Sequence, residues 1–255
     1  MINHISTDNK IYFLSDFHLG APNAAASLIR EKKLVQFLDS IKNNAAGIFI
    51  VGDIFDFWFE YKHAIPKGFV RLQGKIAELT DNGIPVYFFT GNHDMWMFDY
   101  FEKELGVKIY REPILRVFND QKFLIGHGDG LGPGDRGYKF IKKVFAAKWS
   151  QWLFARLHPN FGIGLANYFS RKSRISTGDS DSQFLGEDKE WLVQYCKEQE
   201  QLNPQDYYIF GHRHLPMTIQ INERATYINL GEWIHYDTYA VFDGFETKLL
   251  EWKNS

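Results

Sequence analysis

Five short apolar runs, each closing on a polar residue of the ligating or acid/base type, set the layout of the chain. Residues 48–58 carry the clearest one: Ile-Phe-Ile-Val breaks at Gly52 and delivers Asp53, followed by Asp56. The same arrangement recurs where Lys10–Leu14 leads to Asp16 and His18, and where residues 85–90 lead to Asn92 and His93. It recurs again where residues 122–125 lead to His127 and Tyr207–Phe210 leads to His212 and His214. Runs of this length, rich in Ile, Val, Phe and Tyr, predict buried strands. Five strand ends therefore aim compatible side chains at one place.

The segments between them alternate in kind. Ala24–Ile41 places Leu28, Val35, Leu38 and Ile41 at helical spacing, with Asn43 and Asn44 as stop signals. Residues 68–82 repeat the pattern with Leu72, Ile76 and Leu79 and end at Asn82-Gly83. Strands alternating with helices predict crossover units and ligand-bearing loops at the carboxyl ends of the strands. The second half reads as three hairpins, turning at Asn119-Asp120, Asn222-Glu223 and Asp243-Gly244. The expected fold class is α/β, with two packed sheets flanked by helices, one sheet more parallel and the other more antiparallel. The whole of 1–255 is expected to form one domain, with a helical cap inserted at about 134–185. In that insertion Ile141, Val144, Phe145, Trp149, Trp152 and Leu153 predict one amphipathic helix, and residues 160–170 a second, interrupted at Gly162 and Gly164.

Charge changes the picture of the insertion. Between residues 135 and 175 nine Lys and Arg face one acid, a net of +8, which leaves −10 for the rest of a chain whose formal net charge is −2. A basic, aromatic segment in an otherwise acidic protein points to an anionic partner there. The single cysteine, Cys196, excludes an intramolecular disulfide and a cysteine zinc site and reads as a buried helical residue in a reducing compartment. The first ten residues lack a basic segment followed by an apolar one, so no secretory signal is expected, and no apolar stretch is long enough to span a bilayer.

Asp16, His18, Asp53, Asn92, His127, His212 and His214 supply seven nitrogen and oxygen donors and no sulfur. Such a set suits manganese or iron before magnesium, with zinc possible. Seven donors exceed the need of one six-coordinate ion, so two ions are expected, with Asp53 between them. Residues two apart in an extended chain point the same way, which brings Asp16 and His18 to one centre, and likewise His212 with His214. The residual positive charge would hold phosphate and acidify an attacking water. His93 would assist at the phosphoryl group, with Asp56 and Asp94 orienting the ligands. His4, His63, His158 and His235 lie outside these strand ends and read as structural or exposed.

The motifs Asp16-Phe-His18, Gly52-Asp53-Ile-Phe-Asp56, Gly91-Asn92-His93-Asp94, Gly126-His127 and Gly211-His212-Arg-His214, in this order, resemble those of the calcineurin-like metallophosphoesterases. The resemblance implies a four-layer sandwich of two mixed sheets and a dimetal hydrolase. Within that superfamily the chain is similar to the UDP-2,3-diacylglucosamine hydrolase family. Trp58 after Asp53, His127-Gly-Asp129 followed by Asp135 and Tyr138, and the insertion ending in residues 170–174 carry that likeness. It implies hydrolysis of the UDP-sugar pyrophosphate with two Mn2+ ions, a UDP-linked glycolipid as substrate, and a cap that receives acyl chains. Trp58, Asn92, His93, Asp135, Tyr138, Ser173 and Arg174 would then lie near the substrate, with Asp53 and His93 as catalytic residues. The implied setting is cytoplasmic, peripheral on an anionic inner membrane, with no nucleic acid and as a monomer. One position departs, because the family usually carries Arg where this chain has His93; a soluble nucleotide phosphomonoesterase or phosphodiesterase therefore stays open as the alternative. A non-catalytic scaffold of the same fold would not need the complete ligand set.

Overall fold

In a computed structural model, which describes residues 8–133, 136–181, 183–184 and 186–253, alternation along the strands builds two faces at once. On β1 (Lys10–Leu14), Ile11 and Phe13 point to one side and Tyr12 and Leu14 to the other, all buried. Period-two side-chain alternation in a strand covered on both faces has this consequence. The first sheet has the order β11-β10-β1-β2-β3-β4. Here β2 is Ala45–Val51, β3 Val86–Phe89, β4 Lys108–Tyr110, β10 Thr238–Phe242 and β11 Thr247–Glu251. The second has the order β5-β6-β7-β9-β8, with β5 Ile114–Phe118, β6 Gln121–Gly126, β7 Tyr207–Phe210, β8 Met217–Gln220 and β9 Thr226–Asn229.

The two sheets share an apolar layer in which Phe13, Phe49 and Phe89 of the first meet Phe123, Ile125 and Ile209 of the second. Outside the first sheet lie α1 (Ala24–Ile41), α2 (Val70–Asp81) and α3 (Tyr100–Leu105); outside the second lies α7 (Trp191–Leu202), which buries Cys196. The fold is thus an α/β four-layer sandwich of two mixed sheets flanked by helices. Strands β1, β2 and β3 run parallel side by side, as do β6 and β7, so their carboxyl ends meet along one edge of the sandwich.

Several expectations change. The Asp243-Gly244 hairpin forms and, because β10 pairs with β1, extends the first sheet, which is the more parallel one as expected; the second is not more antiparallel, since β6·β7 and β7·β9 run parallel against antiparallel β5·β6 and β8·β9. In α1 the buried stripe is Ser27, Arg30, Glu31, Leu34, Phe37, Leu38 and Ile41, with Leu28 on its exposed margin. The insertion helix divides into α4 (Arg136–Ala146) and α5 (Lys148–Phe154), because Ala147 is extended. Conversely, α6 (Pro159–Asp181) runs unbroken through Gly162 and Gly164. At Gly162 a side chain would collide with the hydroxyl of Tyr61, so the glycine serves close packing rather than a break. The aromatic stripe of the insertion does not form a core: Trp149 and Trp152 are more than half exposed. Among the described residues, no helix is long and apolar enough to cross a membrane.

Candidate metal centre

Three of the ligand-bearing loops leave their strands through a glycine that cannot be larger. A side chain at Gly52 would meet the His127 ring, one at Gly91 the Asp53 carboxylate, and one at Gly211 the carboxylate of Asp16 and Ser15 Oγ. Glycine before the ligand is therefore a packing requirement set by a ligand from a different strand. The loops also bond to one another, through Asp16 N to Gly52 O (3.1 Å), His18 N to Asp53 O (2.9 Å) and Gly211 N to His127 O (3.0 Å).

Asp16, His18, Asp53, His212 and His214 all have left-handed backbones, with φ from 43° to 66°. This conformation is unfavourable for residues with a Cβ and persists where surrounding structure over-determines it. It also changes the reason for convergence. Asp16 and His18 do meet, but through the left-handed turn rather than the pleat of an extended chain. His212 and His214 part. His214 joins Asp16, His18 and Asp53, whereas His212 joins His127 and Asp53.

Within the first group, His18 Nε2 lies 3.0 Å from His214 Nε2, and Asp16 Oδ1 lies 3.2 Å from His214 Nε2. Asp53 Oδ2 lies 3.8 Å from His18 Nε2 and 3.4 Å from His127 Nε2, and Asn92 Oδ1 is 3.4 Å from that same His127 atom. Donors sharing one ion at about 2.1 Å are separated by roughly 3 Å, so these distances match neighbouring ligand positions. One oxygen of each carboxylate is occupied: Asp16 Oδ2 accepts from His212 N at 3.0 Å and Asp53 Oδ1 from His93 N at 2.9 Å. The other oxygens, Asp16 Oδ1 and Asp53 Oδ2, are buried and accept no hydrogen bond. Two buried anionic oxygens facing imidazole nitrogens need a cation. His127 Nδ1 donates to Val51 O at 2.8 Å, which turns Nε2 toward the cluster. These clustered His and Asp residues form a divalent-metal site.

The electrostatics agree. Burial alone would raise Asp16 and Asp53, but the surrounding imidazoles outweigh it and hold both carboxyls well below the usual range. Burial dominates at His18 and His212 and pushes both down to about 4, so they stand neutral with free lone pairs. Burial also lowers His127, yet the charges of Asp53, Asp16 and Asp129 together carry it up to about 10. Without a metal ion a proton thus occupies the place of positive charge. Asp94, buried and repelled by Asp53, rises to about 7 while its oxygens accept from the backbone N–H groups of Ile54, Phe55 and Gly91.

His93 Nδ1 lies 3.0 Å from Asp56 O and 3.0 Å from Ser170 Oγ on α6. A carbonyl only accepts, so Nδ1 carries the hydrogen and Nε2 is the atom left for a ligand. Ser170 Oγ in turn donates to Asp56 Oδ1 at 2.8 Å. Tyr138 donates to Asp129 at 2.7 Å, and Lys142 pairs with the same carboxylate at 2.8 Å, so part of the basic charge of the insertion is used internally. A cavity of about 400 Å³ opens beside Asn92, His93 and Ser170. Its walls are apolar, from Phe57 and Trp96 below to Ile141, Phe145, Leu165 and Phe169 of the insertion above. Phe154 anchors the insertion, with its ring 4.6 Å from Phe59 and 4.8 Å from Trp96.

Trp58 is a correction. It is fully buried, 4.4 Å from Phe55 and 4.7 Å from Phe101, with Nε1 donating to Glu60, and has no surface to give a ligand. Asp135 lies outside the described residues, as do the side chains of Ser173 and Arg174. Two residues escape the sequence reading. Ser170 opens the 170–174 motif, but nothing local marks it as the partner of His93. Arg30 carries a local signal, because it sits on the buried stripe of α1, and it donates to the carbonyls of Phe17, His18 and Ala21 at 2.6–2.7 Å, clamping the loop that carries His18.

A UDP-2,3-diacylglucosamine hydrolase from Porphyromonas gingivalis is 38% identical over 256 residues, covering 95% of this chain and 97% of that protein. One from Histophilus somni is 29% identical over 88% of this chain and 92% of that protein. A Streptococcus pneumoniae structure described as a predicted phosphoesterase aligns loosely, at a TM-score of 0.42 and 15% identity over 95% of this chain and 89% of that one. The pattern of the calcineurin-like phosphoesterases matches residues 9–216, from the first strand through His214, and the chain belongs to that family.

Proposed function

We propose that the protein hydrolyses the pyrophosphate of UDP-2,3-diacylglucosamine to UMP and 2,3-diacylglucosamine 1-phosphate, the reaction of the lipid A pathway, using two Mn2+ ions. Membership of the phosphoesterase family and the metal site make it a metal-dependent hydrolase. One observation carries the choice of substrate: an apolar cavity of about 400 Å³ opens beside Asn92 and His93 at the metal cluster. A soluble nucleotide has no use for such a space, whereas acyl chains would fill it. The 38% identical relative of that name supports the same reading.

In this reading Asp16, His18, Asp53 and His214 hold one ion, and Asp53, Asn92, His127 and His212 the other. When bound, the ions supply Lewis-acid polarisation of the phosphoryl oxygens and acidify the attacking water. His93 presents Nε2 to the phosphoryl group, its ring fixed by Asp56 and Ser170. Asn92 orients the phosphate beside His93. Tyr138, held by Asp129, lines the same cavity, and the insertion would exclude water from the acyl chains. Asp135, Ser173 and Arg174 are assigned to the polar part of the substrate.

The exposed Trp149 and Trp152, with exposed Lys143, Lys148 and Lys172 nearby in sequence, fit peripheral attachment to an anionic bilayer on the cytoplasmic side. The chain is expected to act as a monomer, without nucleic acid. The test is UMP release by Mn2+-loaded protein from UDP-2,3-diacylglucosamine, beside UDP-N-acetylglucosamine and a simple phosphomonoester. Strong preference for the diacylated compound is expected. Equal or faster turnover of the soluble compounds would overturn the lipid assignment.

A further inference from the structure

Arg213 stands between two metal-cluster histidines that serve different groups. His212 and His214 both have left-handed backbones, at φ 66° and 54°, and the loop is drawn tight by Arg213 N to Gly211 O (2.8 Å) and Leu215 N to Arg213 O (2.7 Å). Such a loop does not hold itself, because each left-handed residue is disfavoured on its own. The Arg213 side chain leaves in the other direction. Its Nε and Nη2 donate to Glu190 Oε2 at 2.9 Å and Oε1 at 3.1 Å, and Nη2 also donates to Gln183 O at 2.5 Å. Arg213 and Glu190 are each 2% exposed.

Both partners belong to the segment that returns the chain from the insertion to the sandwich. Gln183 follows α6, and Glu190 is the residue before α7. The next residue, Trp191, packs edge-on at 6.1 Å from the His212 ring. A two-pronged ion pair in a dry site fixes the mutual position of its partners more tightly than a single hydrogen bond. Any displacement of Gln183 or Glu190 is therefore passed to the backbone that carries one ligand of each group.

We propose that Arg213 is a positioning residue that couples the return segment of the insertion to both halves of the metal centre. The inference rests on the metal assignment made above. Coupling of this kind is reciprocal: ordering the segment tightens metal binding, and metal binding orders the segment by the same factor.

The first experiment uses the full-length wild-type protein, comparing amide hydrogen exchange of residues 183–194 with chelator and with Mn2+. Slower exchange in the Mn2+-loaded protein is expected, and exchange indifferent to Mn2+ would overturn the coupling. The second uses R213M/E190M, in which both charges of this pair are replaced together, with R213K as the conservative variant. The double variant is expected to melt cooperatively and yet bind Mn2+ about 10–100-fold more weakly at both positions, with R213K intermediate. A cooperatively folded double variant with wild-type Mn2+ affinity would overturn the coupling alone. Wild-type protein that takes up no Mn2+ would overturn the metal assignment and the coupling together.

Discussion

Gly91→Ala tests the packing of the metal centre through one added methyl group. Gly91 has no left-handed backbone to protect, so the substitution acts only through space. A Cβ there would stand 2.6 Å from Asp53 N and 2.7 Å from Asp53 Cγ, and closer still to Oδ1. Ordinary contact begins near 3.4 Å. The Asp53 backbone must therefore retreat by about 0.8 Å, and the carboxylate shared by both ligand groups, whose Oδ1 is the nearest atom, by more. A misplacement of that size costs on the order of a hundredfold in rate, or about 2.7 kcal/mol of transition-state stabilisation. Gly74→Ala is the matched control. Gly74 is exposed inside α2, and nothing lies within 4 Å of its added Cβ. There alanine gains about 1 kcal/mol in helix propensity, worth roughly 2–4 °C in melting temperature. The assay is Mn2+ binding by calorimetry, turnover and melting on both variants. G91A with wild-type Mn2+ affinity and turnover would refute the argument that Asp53 is wedged against Gly91.

Asp53→Asn should reduce bound metal below two ions per chain by elemental analysis, with turnover lost by at least about a hundredfold, because a shared anionic ligand is neutralised; full metal content and turnover would refute the bridging role. Metal uptake should release a proton. His127 stands near pKa 10 when empty and must be deprotonated to ligate, so apparent affinity should rise about tenfold per pH unit between pH 7 and 9 and calorimetry should depend on buffer ionisation enthalpy. The stability of metal-free protein follows the same group: the charged His127 contribution is complete below about pH 6.5 and declines as pH approaches 10, so the chelated protein should melt lower at pH 10 than at pH 7. Cys196 is buried and its thiol is pushed well above its ordinary value by burial, so it should resist alkylation at pH 8 until the protein unfolds; rapid labelling of folded protein would contradict its place on the buried face of α7.

How much of this was legible in the letters depends on the range of the cause. The five strand ends were legible because a buried run and a ligand are neighbours in sequence, with a glycine between them at all but the first, and Ala24–Ile41 because its periodicity and stop residues are local. Turn residues likewise marked all three hairpins, but not the sheet each would join, since β10 bonds to a strand more than two hundred residues earlier. Trp58 and Trp149 illustrate the limit. Both are aromatic beside a functional segment, yet one is sealed in the core and the other stands in solvent.

The sequence alone determined which side chains meet at the metal centre, because strand polarity carries every ligand to a carboxyl end and parallel neighbours bring those ends together. Only the tertiary structure decided how they divide. His212 and His214, two apart and alike, serve different groups because left-handed backbones, held by bonds from distant loops, set their directions. Likewise Ser170 reaches His93 and Arg30 grips the His18 loop through hydrogen bonds that exist only once helix and sheet are packed.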